Sequence, residues 1–180
     1  RTTIRYDYQV KYHRIEVWTD TDYAGCKRTR KSTSGGVIML GWHLMKTWSS
    51  TQAVIALSSG EAEYYGMVRG GSTGIGFRSI LEDLGIKGKV RISTDASAAK
   101  GIALRRGLGK VRHIEVNQLW LQQKVATGNI EVRKVKGEDN LADALTKYLG
   151  KGGIDKHIES TSQGQVKGRH WLAPMVDGSE

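Results

Sequence analysis

The chain has 180 residues, with 28 Lys and Arg against 18 Asp and Glu, and a formal net charge of +10 at pH 7. That length holds one sizeable core, so one main domain is expected rather than two, and the basic surplus suits a phosphate-bearing partner. A single cysteine, Cys26, excludes an intrachain disulfide and a zinc site built on thiolates.

The charge is uneven. Residues 1–150 carry 24 Lys and Arg against 14 Asp and Glu, whereas residues 151–180 have four of each sign. No apolar run approaches the roughly 20 residues that cross a bilayer, and the N-terminus lacks the apolar segment of a signal peptide. The expectation is a soluble intracellular domain with no membrane partner, monomeric in isolation, in a cytoplasmic particle or the nucleus.

In chain order, Ile15, Val17 and Thr19 alternate with Glu16, Trp18 and Asp20, a period of two that predicts a strand. A polar stretch with Lys27, Arg28, Arg30 and Lys31 follows. Residues 34–43 and 44–52 are then rich in β-branched and aromatic types, which predicts an antiparallel meander turning near Gly41. Ser58 followed three residues later by Glu61 is a capping box that opens a helix running to Gly85. The run Gly70-Gly71-Ser72-Thr73-Gly74-Ile75-Gly76 is expected to loosen or break that helix. A phosphate loop would need a preceding strand and a nearby Lys.

Residues 89–94 predict a short strand ending at Asp95, and 96–104 a helix of small residues. An amphipathic helix is predicted over 111–125, with Ile114, Asn117, Leu121 and Val125 at helical spacing, then a strand over 130–135 and a last helix over 138–148. The tail from residue 150 holds the sole proline, Pro174, with many Gly and Ser, and is expected to be weakly ordered. Consecutive strands followed by alternating strands and helices imply an α/β fold. Its sheet would be mixed, an antiparallel meander plus parallel strands, with helices on its faces.

Asp20 ends the first strand and Asp95 the fourth, while Glu63 lies in the first turns of the long helix and Asp143 early in the last. Glu61 is occupied by the capping box, which leaves Glu63 as the ligand on a different face. Asp20 is nearer the sheet than Asp22. Four carboxylates from four segments, with no His or Cys beside them, suit a hard ion such as Mg²⁺ or Mn²⁺. In a basic chain they predict a metal-dependent nuclease. Trp18, Trp42, Trp48 and Trp120 are expected in the core rather than as stacking platforms, and Cys26 is read as incidental.

The strings Thr19-Asp20-Thr21-Asp22-Tyr23-Ala24-Gly25, Arg30-Lys31-Ser32-Thr33-Ser34-Gly35-Gly36, Leu57-Ser58-Ser59-Gly60-Glu61-Ala62-Glu63-Tyr64, Ser93-Thr94-Asp95, Arg112-His113-Ile114-Glu115-Val116 and Leu141-Ala142-Asp143-Ala144-Leu145-Thr146-Lys147 carry a resemblance. In this order they resemble the ribonuclease H domain of copia-type long-terminal-repeat retrotransposon polyproteins. The similarity covers roughly residues 15–149.

The resemblance implies a ribonuclease H-like fold with a five-stranded sheet and helices on both faces, residues 1–14 connecting to a reverse transcriptase partner, and residues 150–180 as a tail. It also implies an endoribonuclease that cuts the RNA strand of RNA–DNA hybrids, with Asp20, Glu63, Asp95 and Asp143 as catalytic residues holding two Mg²⁺ or Mn²⁺ ions about 4 Å apart. Lys27, Arg28, Arg30, Lys31, Ser34, Ser59, Thr94, Arg112 and His113 are candidate substrate contacts, the basic ones to the backbone. Arg105, Arg106 and Lys110 form a second basic group.

Two departures are visible. Many relatives place a His in a loop before the last Asp, whereas here Val135-Lys136-Gly137 leads directly to Glu138, so Glu138 or His113 would have to serve. The basic handle with which some members grip hybrids is not recognisable. Rival readings are an integrase core, which would place its glutamate after the second aspartate, and a catalytically weak or inactive nucleic-acid-binding module, domesticated from an old element.

Overall fold

The structure, a computed structural model, describes residues 2–10, 13–109, 111 and 113–168. The strands are β1 (Thr2–Ile4), β2 (Arg14–Asp22), β3 (Thr33–Leu40), β4 (His43–Thr51), β5 (Lys89–Thr94), β6 (Ile130–Lys134) and β7 (Gln163–Gln165). The helices are α1 (Ser59–Asp83), α2 (Ser97–Leu104), α3 (Trp120–Ala126) and α4 (Lys151–Ser160).

Five strands form one mixed sheet in the order β4-β3-β2-β5-β6. The meander is antiparallel, with Gly41 at φ 61° in the turn between β3 and β4. β2–β5 and β5–β6 are parallel pairs. Parallel neighbours end at the same edge of the sheet, so β2 and β5 carry Asp20 and Asp95 to one place.

Side chains alternate across β3. Ile38 faces the main core with Val17, Ile92, Tyr64, Met67 and Leu121, while Val37 and Met39 face the opposite side, against Leu141 and Leu145. Ile92 is fully buried, worth roughly 1.5–3 kcal/mol for such a side chain. Both faces are therefore covered, one by α1 and its neighbours and the other by the segment after β6.

The glycine run does not break α1, which continues unbroken for 25 residues. Gly70 and Gly74 fall on its sheet-facing side. A Cβ on Gly70 would stand 2.6 Å from Thr19 Cγ2, and one on Gly74 would stand 2.8 Å from Val90 Cγ1. Close approach of helix to sheet explains glycine here, rather than flexibility.

Of two helices expected from periodicity, the one over 111–125 is cut to its second half and the one over 138–148 is absent. Between residues 111 and 119 the described chain has only the 3₁₀ turn Val116–Gln118, and α3 begins at Trp120. Here His113 reaches back to Glu61, and Glu115 is extended at φ −60°, ψ 136°. Over 138–148 the chain forms two 3₁₀ turns, Gly137–Asp139 and Asp143–Leu145. Asn140 separates them. Its buried amide donates to Thr19 O at 3.0 Å and its side-chain oxygen accepts from Ala142 N at 3.2 Å, a local bond that competes with a helix.

Residues 151–165, expected to be weakly ordered, form α4 and β7, and β7 pairs antiparallel with β1. The N-terminal segment also docks on the meander. Tyr6 Oη donates to Leu44 O, and Gln9 bridges Leu40 O and Trp42 N. Of the tryptophans, Trp48 is buried, whereas Trp42 at the hairpin turn is 73% exposed, so its place in the core is not borne out.

Candidate metal centre

The register of β2 and β5 places Trp18 opposite Ser93. Two residues further on come Asp20, near the end of β2, and Asp95, just past the end of β5. Glu63 joins them from the second turn of α1, whose N-terminus is fixed by Ser58 accepting from Glu61 N at 3.2 Å. One carboxylate oxygen from each of Asp20, Glu63 and Asp95 lies within 4.8 Å of the others. This acidic triad could bind a metal ion. It also matches the general rule that open sheets bind ligands beyond the carboxyl ends of parallel strands.

The electrostatics fit a divalent cation. Burial pushes the Glu63 carboxyl up to about 8, with the charges of Asp20 and Asp95 adding to it. Its Oε2 atom is buried without a hydrogen-bond partner among the described residues. Burial also raises Asp20, and Asp95 and Asp143 reinforce the shift against Thr146 and Lys147. Like charges this close are tolerated only if one is protonated or a cation sits among them.

Asp143 is not one of the triad. It lies close enough to raise Asp20, but its Oδ1 pairs with the Lys147 ammonium one helical turn on. Thr146 Oγ1 donates to Asp20 Oδ2. Sequence reasoning gave neither Thr146 nor Lys147 a role, although the spacing Asp143, Thr146, Lys147 at i, i+3 and i+4 puts them on one side of a helical turn. Lys147 is held charged by its bond to Asp143 and by the field of Asp20 and Asp95, against the opposing effect of burial.

The separation of Glu61 from Glu63 is clear. Glu61 is 1% exposed and accepts from Leu57 N at 2.9 Å, Tyr65 Oη at 2.7 Å and His113 Nε2 at 2.5 Å. Burial alone would raise its carboxyl, but the bonds from His113, Tyr65 and Leu57 lower it. Its partner in the capping box is Leu57 N, one residue before the cap. His113 is thereby committed to Glu61. Glu138 is exposed and pairs with Lys136 at 3.7 Å.

Among the candidate substrate contacts, Lys27, Arg28 and Arg30 are exposed and Lys31 half-buried in the turn between β2 and β3. Ser59 is exposed at the start of α1. Ser34 and Thr94 are buried, and their hydroxyls are used internally, accepting from Gln52 Nε2 at 2.8 Å and Ala96 N at 3.2 Å. Arg112 and Lys110 lie outside the described residues.

A mixed sheet in this order, with acids at the ends of its central strands and covered on both faces, defines the ribonuclease H-like class. The chain is similar to the solved LC11-RNase H1 isolated from compost, with a TM-score of 0.51 and 20% identity over 81% of this chain and 99% of that one. That likeness is one of fold. No family model matches. The chain is 30% identical over 137 residues to the Retrovirus-related Pol polyprotein from transposon TNT 1-94 of Nicotiana tabacum, a match covering 75% of this chain and 10% of that polyprotein. It is also 30% identical over 140 residues to the corresponding polyprotein from transposon RE1 of Arabidopsis thaliana, covering 76% and 10%. The chain is a ribonuclease H-like domain that matches the ribonuclease H region of copia-type Pol polyproteins, and it spans about a tenth of the length of these relatives. Among the described residues no helix is long and apolar enough to cross a membrane.

Proposed function

We propose that the chain is an endoribonuclease that hydrolyses the RNA strand of RNA–DNA hybrids during retrotransposon reverse transcription, with two Mg²⁺ or Mn²⁺ ions. The observation that carries the reading is the convergence of Asp20, Glu63 and Asp95 on one point, with Glu63 Oε2 buried and unpartnered. All the donors are carboxylate oxygens, which fit hard divalent ions. Asp20, Glu63 and Asp95 would hold them, with Asp143 completing the set. When bound, such ions polarise a phosphoryl oxygen and lower the pKa of an attacking water.

The chain's own residues do the remaining work. Thr146 fixes the orientation of Asp20 through its hydroxyl. Lys147 offsets part of the negative charge, and its pairing with Asp143 Oδ1 competes with an ion for that carboxylate. Lys27, Arg28 and Arg30, exposed in the turn between β2 and β3, would contact backbone phosphates, with Lys31, Ser59 and Arg112 as further contacts. Contacts to the 2′-hydroxyl would distinguish RNA from DNA. Residues 15–149 would form the catalytic domain, acting as a monomer when isolated, with residues 1–14 leading from a reverse transcriptase partner.

The test is a hybrid duplex labelled on each strand, incubated with the chain and Mg²⁺, Mn²⁺ or a chelator. The expected result is cleavage of the RNA strand alone, with 5′ phosphate products, in either ion and none in chelator. A hybrid that is bound but left intact in both ions would replace this reading with that of a non-catalytic binding module.

A further inference from the structure

On the flank of α1 away from the triad lies a cleft of about 360 Å³, walled by the end of β4, by Tyr65 and Arg69 of α1, and by Gln118. Arg69 is exposed, but it is not loose. Its guanidinium lies 5.9 Å from the centroid of the buried Trp48 ring, and Nη1 donates to Ser50 Oγ. Among the described residues no carboxylate pairs with it. Glu115 also lines the cleft, its carboxylate accepting from Asn117 Nδ2 at 3.1 Å. A guanidinium has five N–H donors, and most of these remain free.

The cleft has a second unmet group. Gln52, 9% exposed, spends its amide nitrogen on Ser34 Oγ and Ala62 O, both at 2.8 Å, and its Oε1 is buried with no partner among the described residues. A ligand suited to both features carries an anion for Arg69 and a hydroxyl donor for Gln52. A ribonucleotide unit, phosphate plus ribose, has both.

Position links the cleft to the acidic edge. In the sheet register Thr21 faces Ser34, and Ser34 faces Ser50. Ser50 is therefore two strands from β2, about 10 Å across the sheet.

We propose that the Arg69 cleft is a subsite for a backbone phosphate and ribose of the nucleic-acid substrate, away from the scissile phosphate. This rests on the hybrid-cleaving function proposed above. Arg69, set by Trp48 and Ser50, grips the phosphate, and Gln52 accepts from the ribose hydroxyl.

The experiment is fluorescence anisotropy of a labelled RNA–DNA hybrid with the whole chain in chelating buffer, over a series of salt concentrations. Arg69→Gln should weaken binding about tenfold or more and reduce the salt slope by about one. Arg69→Lys should keep the slope and lose part of the affinity. Lys46→Gln, an exposed position towards the other end of β4, should change neither. Matching melting temperatures establish that the variants fold. Wild-type affinity and slope in Arg69→Gln would overturn the subsite and leave the function standing. A wild-type chain that binds the hybrid neither in chelator nor with Mg²⁺ added would overturn both.

Discussion

Asp20 and Asp95 lie near the carboxyl ends of two parallel strands, each two residues beyond the Trp18–Ser93 pair, and both add to the upward shift of the Glu63 carboxyl. The sheet thus concentrates negative charge at one edge of an otherwise basic chain. Such a cluster costs stability unless protons or cations offset it.

Removing one member should separate stability from activity. Asp95→Asn in chelating buffer is expected to raise the melting temperature, because it removes one repelling charge from Glu63 and Asp20. Cleavage should fall at least about 100-fold, with Asp20→Asn doing the same. Circular dichroism melts and a hybrid cleavage assay on the same preparations check both outcomes.

Glu63 gives the pH dependence a definite sign. Its carboxyl is raised from 4.5 to about 8, so between those values the folded state holds a proton that the unfolded state has released. The contribution of Glu63 to the stability of the metal-free chain is therefore full below pH 4.5, falls as pH rises towards 8, and flattens above it. Glu63→Gln should remove this component. Urea midpoints measured from pH 5 to 9 in chelator, for wild type and variant, would show the difference. Divalent cations should bind more tightly as pH rises through the same window, releasing protons.

Two glycines in one helix should respond with opposite signs. Gly76 has nothing within 4 Å of an added Cβ, so Gly76→Ala should stabilise by about 0.5–1 kcal/mol. Gly70→Ala drives a methyl to 2.6 Å from Thr19 Cγ2 and 3.0 Å from Val17 Cγ1. Overpacking costs about 1–3 kcal/mol, enough to exceed the helix-propensity gain. Equilibrium urea unfolding distinguishes the two.

Asn140 ties the turn that carries Asp143 and Thr146 to the sheet. Asn140→Ala leaves Thr19 O without its donor in a buried setting and should cost about 1–3 kcal/mol. Asn140→Asp should also destabilise, because a carboxylate cannot donate. If both variants unfold at the wild-type urea midpoint, the anchoring role is wrong.

The central elements were legible because their signals are local. Ile15, Val17 and Thr19 alternate, Ser58 and Glu61 bracket the start of α1, and Asp20 and Asp95 follow strands that need only be parallel to meet. Periodicity failed where a tertiary bond overrode it. The helical spacing of Ile114, Asn117 and Leu121 cannot register that His113 turns back to Glu61. Residues 138–148 contain helix formers, yet Asn140 spends its side chain on Thr19 and Ala142. The glycine run misled because a pattern along one helix does not show how near the sheet must come. Asp143 was read as an equal of the other three acids, since nothing in the spacing says that Lys147 holds it.

The most direct measurement is a crystal of the chain soaked in Mn²⁺, with anomalous scattering recorded near the manganese edge. Two peaks are expected at the acidic edge, contacting Asp20, Glu63 and Asp95, with Asp143 freed from Lys147 to join them. No peak among these carboxylates at saturating Mn²⁺, with Asp143 still paired to Lys147, would contradict the account.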